Sequence, residues 1–126
     1  MFGSELDETK LDLYARYLAR YVAAYSDNGI PISYLTPQNE PLHRANGYPT
    51  MGLAADIELK LVHALADRLS ELNMTTTTRI ILYDHNWDNL SYAQSILSSS
   101  ELPDLVDGTA FHCYAGDYQV DIYNMM

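Results

Sequence analysis

Apolar residues along this chain follow two alternating periods. Between about Asp7 and Asn28, Tyr14, Tyr17, Leu18, Tyr21, Val22 and Tyr25 fall at i, i+3, i+4, i+7, i+8 and i+11. That spacing lines one face of a helix. Asn28-Gly29 supplies a C-terminal stop, and Pro31 follows it. Ile57, Leu61, Leu65, Leu69 and Leu72 mark a second helix from about Leu53 to Leu72, and Leu90 to Leu97 a third, shorter one. Between the helices lie runs of another kind. Ile32 to Thr36 is a short strand ending at a Thr-Pro break. Arg79 to Tyr83 is almost continuously apolar, as in a strand covered on both faces of a parallel sheet. Val106 to Tyr114 is the third strand. A long polar segment with Pro41, Gly47, Pro49 and Gly52 reads as loop, as does Asp84 to Asp88, and the tail from Ala115 is irregular or begins another helix.

The order is therefore α-β-α-β-α-β. Strands separated by helices pair in parallel through right-handed crossovers. Two architectures satisfy this: an open doubly wound sheet and part of a (β/α)8 TIM barrel. No glycine-rich phosphate loop follows any strand, which weakens the nucleotide-binding version of the first. Polar and aromatic residues instead gather just after each strand, at Gln38-Asn39-Glu40, Asp84-His85-Asn86-Trp87 and His112-Cys113-Tyr114. Functional groups at the carboxyl ends of successive strands are the layout of a barrel active site. A whole barrel takes about 250 residues, so 126 residues are expected to form one partial barrel domain over 1–126, truncated at both ends.

Composition narrows the partners. The formal net charge is -10 with only seven Lys and Arg, which argues against nucleic acid and against an anionic membrane surface. A neutral sugar is indifferent to that charge. With Cys113 the only cysteine, no internal disulfide can form, and thiols say nothing of the compartment. No apolar run approaches the ~20 residues of a membrane span. The start MFGSELDETK carries no basic stretch followed by an apolar one, so no signal peptide is expected. The four histidines are scattered without HxxxH or CxxC spacing, so no metal and no cofactor are expected. Oligomeric state is not legible.

The sharpest chemistry lies in Thr36-Pro37-Gln38-Asn39-Glu40-Pro41. Pro41 disfavours the α region for Glu40 and is expected to hold it extended at the strand end, carboxyl toward the barrel mouth. Asn39 offers a donor and an acceptor beside it. Glycoside cleavage uses such a pair, an acid for the leaving oxygen and an amide for the sugar 2-hydroxyl. The same residues also make ordinary turns. In Asp84-His85-Asn86-Trp87-Asp88, polar groups beside an indole suit a sugar site, and an Asx turn with a half-buried Trp fits as well. His112 and Tyr114 stand where they could line the same pocket.

Joined in order, these segments resemble the central part of glycoside hydrolase family 30. The likeness runs from Tyr14-Ala15-Arg16-Tyr17 through Leu35-Thr36-Pro37-Gln38-Asn39-Glu40-Pro41 and Gly47-Tyr48-Pro49-Thr50-Met51. It continues in Tyr83-Asp84-His85-Asn86-Trp87-Asp88 and in Asp107 to Asp117. The family comprises retaining β-glycosidases, among them glucosylceramidases and endo-β-1,6-glucanases. The resemblance implies strands 4 to 6 of the barrel, with Glu40 as general acid/base and Asn39 as its 2-hydroxyl partner. It further implies a sugar subsite lined by Asp84, His85, Asn86, Trp87, His112 and Tyr114. The substrate implied is a β-glucan, a β-glucoside or a glucosylceramide-like glycoside, and the full-length protein is expected to be secreted. The family's nucleophile follows strand 7, beyond the His-Cys-Tyr motif, so the chain alone is expected to be inactive. A non-catalytic carbohydrate-binding barrel piece and an unrelated doubly wound domain are the competing readings.

Overall fold

The computed structural model describes residues 2–117. A short strand β1, Phe2–Glu5, opens the chain, followed by a 3-10 turn, Glu8–Lys10, in which Asp7 accepts the Thr9 N–H at 3.0 Å. Helix α1 spans Leu11–Asp27, α2 Ala55–Glu71 and α3 Leu90–Leu97. Strands β2, Tyr34–Leu35, β4, Arg79–Asn86, and β5, Val106–His112, form one parallel sheet in the order β2-β4-β5. Strand β3, Thr50–Gly52, pairs in parallel with β1 in a separate two-stranded sheet.

The order of the larger sheet follows the chain without reversing, with α2 and α3 as the crossovers. An open doubly wound sheet reverses at a switch point; these three strands run on in one direction, as an arc of a (β/α)8 barrel does. Ile80, Leu82 and Tyr83 of β4 meet Leu61, Val62, Leu65 and Leu69 of α2, Ala93 and Ile96 of α3, and the inner face of α1 in one core.

Several sequence expectations change. On α1 the buried residues are Ala15, Leu18, Ala19 and Val22, while Tyr17, Tyr21 and Tyr25 are exposed, Tyr17 by 64%. The spacing is as expected, but the stripe is turned so that small alanines let α1 close on α2. On α2 the stripe is Glu58, Leu61, Val62, Leu65 and Leu69, with Leu72 exposed. Lastly, β4 does not stop at Tyr83. Its register against β5 slips between Tyr83 and His85, the backbone passes through positive φ at Tyr83 (73°) and Asp84 (50°), and pairing resumes through Asn86. The expected Asp84–Asp88 loop is thus a bulge, a strand end and a 3-10 turn over Trp87–Asn89. Strand β3 lies where loop was expected, and β1 precedes the first expected helix, because so short a pairing carries no readable period.

Candidate active site

The carboxyl ends of β2, β4 and β5 bring together residues far apart in the sequence. Beyond β2 the chain reaches Glu40, whose N–H donates to Asp84 O at 2.9 Å and whose carbonyl accepts the His43 N–H at 2.9 Å. Those two bonds hold Glu40 at φ 48°, not extended as the following proline favours. Pro41 sets a bias, and a turn closed on both sides outweighs it, at a local cost of about 1–3 kcal/mol.

Side chains complete the link. His112, the last residue of β5, lies with Nδ1 2.9 Å from Glu40 Oε1 and Nε2 3.1 Å from Asp84 Oδ1. The other Asp84 oxygen accepts the Thr36 hydroxyl at 2.8 Å. All three titratable groups are largely buried, with side-chain exposures of 19–21%. Burial alone would lower the His112 pKa. The hydrogen bond to Glu40 and the charge and hydrogen bond of Asp84 together outweigh it and hold His112 above the ordinary imidazole value. His85 goes the other way: burial depresses it, against the attraction of Glu40 and Asp88. Its Nδ1 is buried without a hydrogen-bond partner.

The remaining residues expected at the site are placed less uniformly. Asn86 Oδ1 accepts the Tyr114 N–H at 2.9 Å, tying the end of β4 to the segment after β5. Tyr114 stands edge-on to His112, ring centroids 5.7 Å apart, and is 81% exposed. Trp87 stacks one indole face on Phe111 at 3.8 Å. Asn39 is exposed next to Glu40. A hollow of about 210 Å³ beside them is lined by Asn39, Glu40, His43, Tyr48, Pro49 and Thr50.

Sequence reasoning passed over Thr36, His43, Tyr48 and Glu58. His43 Nε2 bonds the Tyr48 hydroxyl at 2.8 Å. Glu58, fully buried on α2, accepts the Tyr83 N–H at 3.1 Å. A signal for Glu58 existed: it continues the 61, 62, 65, 69 stripe one turn earlier, beside the partly buried Ile57. Thr36 and His43 had none, since only folding sets them against Asp84 and Tyr48. Among the described residues no cluster suited to holding a metal ion occurs, and no helix is long and apolar enough to cross a membrane.

A family description, the glycosyl hydrolase family 30 TIM-barrel domain, matches residues 2–123. The chain belongs to this family. It is 35% identical over 114 residues to an endo-1,6-β-D-glucanase of Neurospora crassa, covering 90% of this chain and 23% of that protein. An endo-1,6-β-D-glucanase of Aspergillus fumigatus is 35% identical over 103 residues, 81% of this chain and 20% of that protein. Among solved structures, an endo-β1,6-glucanase superposes with a TM-score of 0.85 at 26% identity, covering 98% of this chain and 28% of that one. SrfJ from Salmonella typhimurium superposes with a TM-score of 0.87, also at 26% identity, over 99% of this chain and 28% of that one. This family 30 chain therefore spans between a fifth and somewhat more than a quarter of these relatives.

Proposed function

We propose that this family 30 chain supplies the proton-donating half of a retaining β-glycosidase acting on a β-glucan, with Glu40 as general acid and base. The observation that carries the reading is the Glu40–His112–Asp84 bridge at the barrel rim. With His112 protonated, Nε2–H donates to the Asp84 carboxylate and Nδ1–H to Glu40 Oε1, so the carboxyl stays oriented and its other oxygen carries the acid proton. As the bond from the anomeric carbon to the leaving oxygen breaks, Glu40 gives its proton to that oxygen. The carboxylate left behind keeps the Nδ1–H bond from His112, which stabilises the negative charge. In the second half of the reaction Glu40 takes the proton back from the water that releases the sugar.

Both Asp84 oxygens are engaged, by His112 and Thr36. In this reading Asp84 positions His112, and attack on the anomeric carbon falls to a carboxylate outside these 126 residues, so the chain alone is not expected to turn over. Asn39, exposed beside Glu40, is assigned the sugar 2-hydroxyl, and His85, Asn86, Trp87 and Tyr114 the walls of the sugar subsite. The likeness at 35% identity to two fungal endo-1,6-β-D-glucanases favours a β-1,6-linked glucan as substrate.

The test uses the full-length protein. Glu40→Ala should lower kcat/KM on β-1,6-glucan by about 10²–10⁴, the usual worth of a general acid. It should lower kcat/KM far less on dinitrophenyl β-glucoside, whose leaving group needs no proton. Equal loss on both substrates, or none on the glucan, would show that Glu40 is not the acid.

A further inference from the structure

Glu58 is a buried ionisable group that the mechanism above does not use. It lies on the outer helix α2, on a face otherwise made of Leu61, Val62, Leu65 and Leu69. A carboxyl there is costly unless a specific bond offsets its desolvation. Its Oε1 accepts the backbone N–H of Tyr83 at 3.1 Å, and Oε2 is buried without a hydrogen bond.

Tyr83 begins the bulge. Tyr83 and Asp84 are consecutive non-glycine residues in the left-handed region, each at a cost of about 1–3 kcal/mol. In the β4–β5 register Tyr83 pairs with Ala110 and His85 with Phe111, so Asp84 is passed over. That irregularity turns the Asp84 carbonyl to Glu40 N and its carboxylate to His112 and Thr36. Because side chains alternate faces along a strand, a regular β4 would move Asp84 to another face.

We propose that Glu58 is a positioning residue for the proton donor: from the outer helix it clamps the Tyr83–Asp84 bulge and thereby sets where Asp84 holds His112 and Glu40. The inference rests on Glu40 being the acid. Burial raises the Glu58 pKa, the Tyr83 N–H and the Tyr92 hydroxyl work against that, and the nearby Asp84 charge adds to the rise. The neighbouring Tyr92 hydroxyl of α3 donates to Leu53 O at 3.0 Å.

Substitutions in the full-length protein separate positioning from filling. Glu58→Gln keeps an acceptor for Tyr83 and should hold kcat/KM on β-1,6-glucan within about threefold of the parent. Glu58→Met fills similar space without an acceptor and should lower it about tenfold or more, a misplaced acid being costly at small displacements. On dinitrophenyl β-glucoside both variants should match the parent, because no proton transfer is needed there. Should Glu58→Met not fold, Glu58→Asp, which draws the carboxyl back by one methylene, must show the same split between substrates. A uniform loss on both substrates, or no loss in Glu58→Met and Glu58→Asp, overturns the proposal. If Glu40→Ala separates the two substrates and the Glu58 variants do not, the clamp fails and the role of Glu40 stands. If Glu40→Ala does not separate them, both fail.

Discussion

At the scale of single residues, the site is a contest between burial and charge, and the two candidate-site histidines fall on opposite sides of it. His112 touches two carboxylates and is held above 6.5; His85 lies near charges but bonds to none at Nδ1, and burial holds it below 6.5. Their linkage to stability has opposite signs. The contribution of His112 is fully present below the unfolded imidazole pKa and is lost as pH rises through its raised folded value. The contribution of neutral His85 is present above the unfolded pKa and is lost as pH falls through its depressed folded value. Ring-proton titration by NMR should therefore give the His112 midpoint above 6.5 and the His85 midpoint below it. Asp84→Asn should lower the His112 midpoint, since it removes one of the two attractions. An unchanged midpoint in that variant would break the link between Asp84 and His112.

Among elements, α1 shows how a correct period can be assigned to the wrong face. Its tyrosines and its Ala15-Leu18-Ala19-Val22 stripe share a spacing and differ by roughly a quarter turn about the helix axis. Bulk suggested the tyrosines for the core, and packing chose the alanines, since helices approach closely over small residues. Unfolding measurements should show this. Val22→Ala removes two buried methyl groups and is expected to cost about 1–3 kcal/mol. Tyr17→Ser, on the exposed side, should stay within about 0.5 kcal/mol of the parent. A larger loss at Tyr17 than at Val22 would restore the tyrosine stripe as the packed face.

Across the whole molecule, charge is unbalanced. Arg16, Arg44, Lys60, Arg68 and Arg79 each pair with a nearby carboxylate. The pairs lie near the surface, where each contributes about 0–1 kcal/mol, and a net charge of -10 remains as self-repulsion. Salt weakens both terms. Repulsion summed over the surface should dominate, so Tm is expected to rise as ionic strength is brought from low values to about 0.15 M. A falling Tm would mean that the ion pairs contribute more than the repulsion removes.

The hydrophobic periods of this chain, its alternation of helix and strand, and the clustering of polar groups after each strand specify a parallel β/α arc with Glu40, Asp84 and His112 at its rim. These follow from local sequence because period and turn chemistry are local properties. Folding alone decided that Glu40 takes a left-handed turn, that β4 bulges at Asp84 and that Glu58 reaches across from α2 to Tyr83. Each of these depends on a hydrogen bond between residues 25 to 44 positions apart. No spacing in the sequence encodes such a bond, because its partner is chosen by packing.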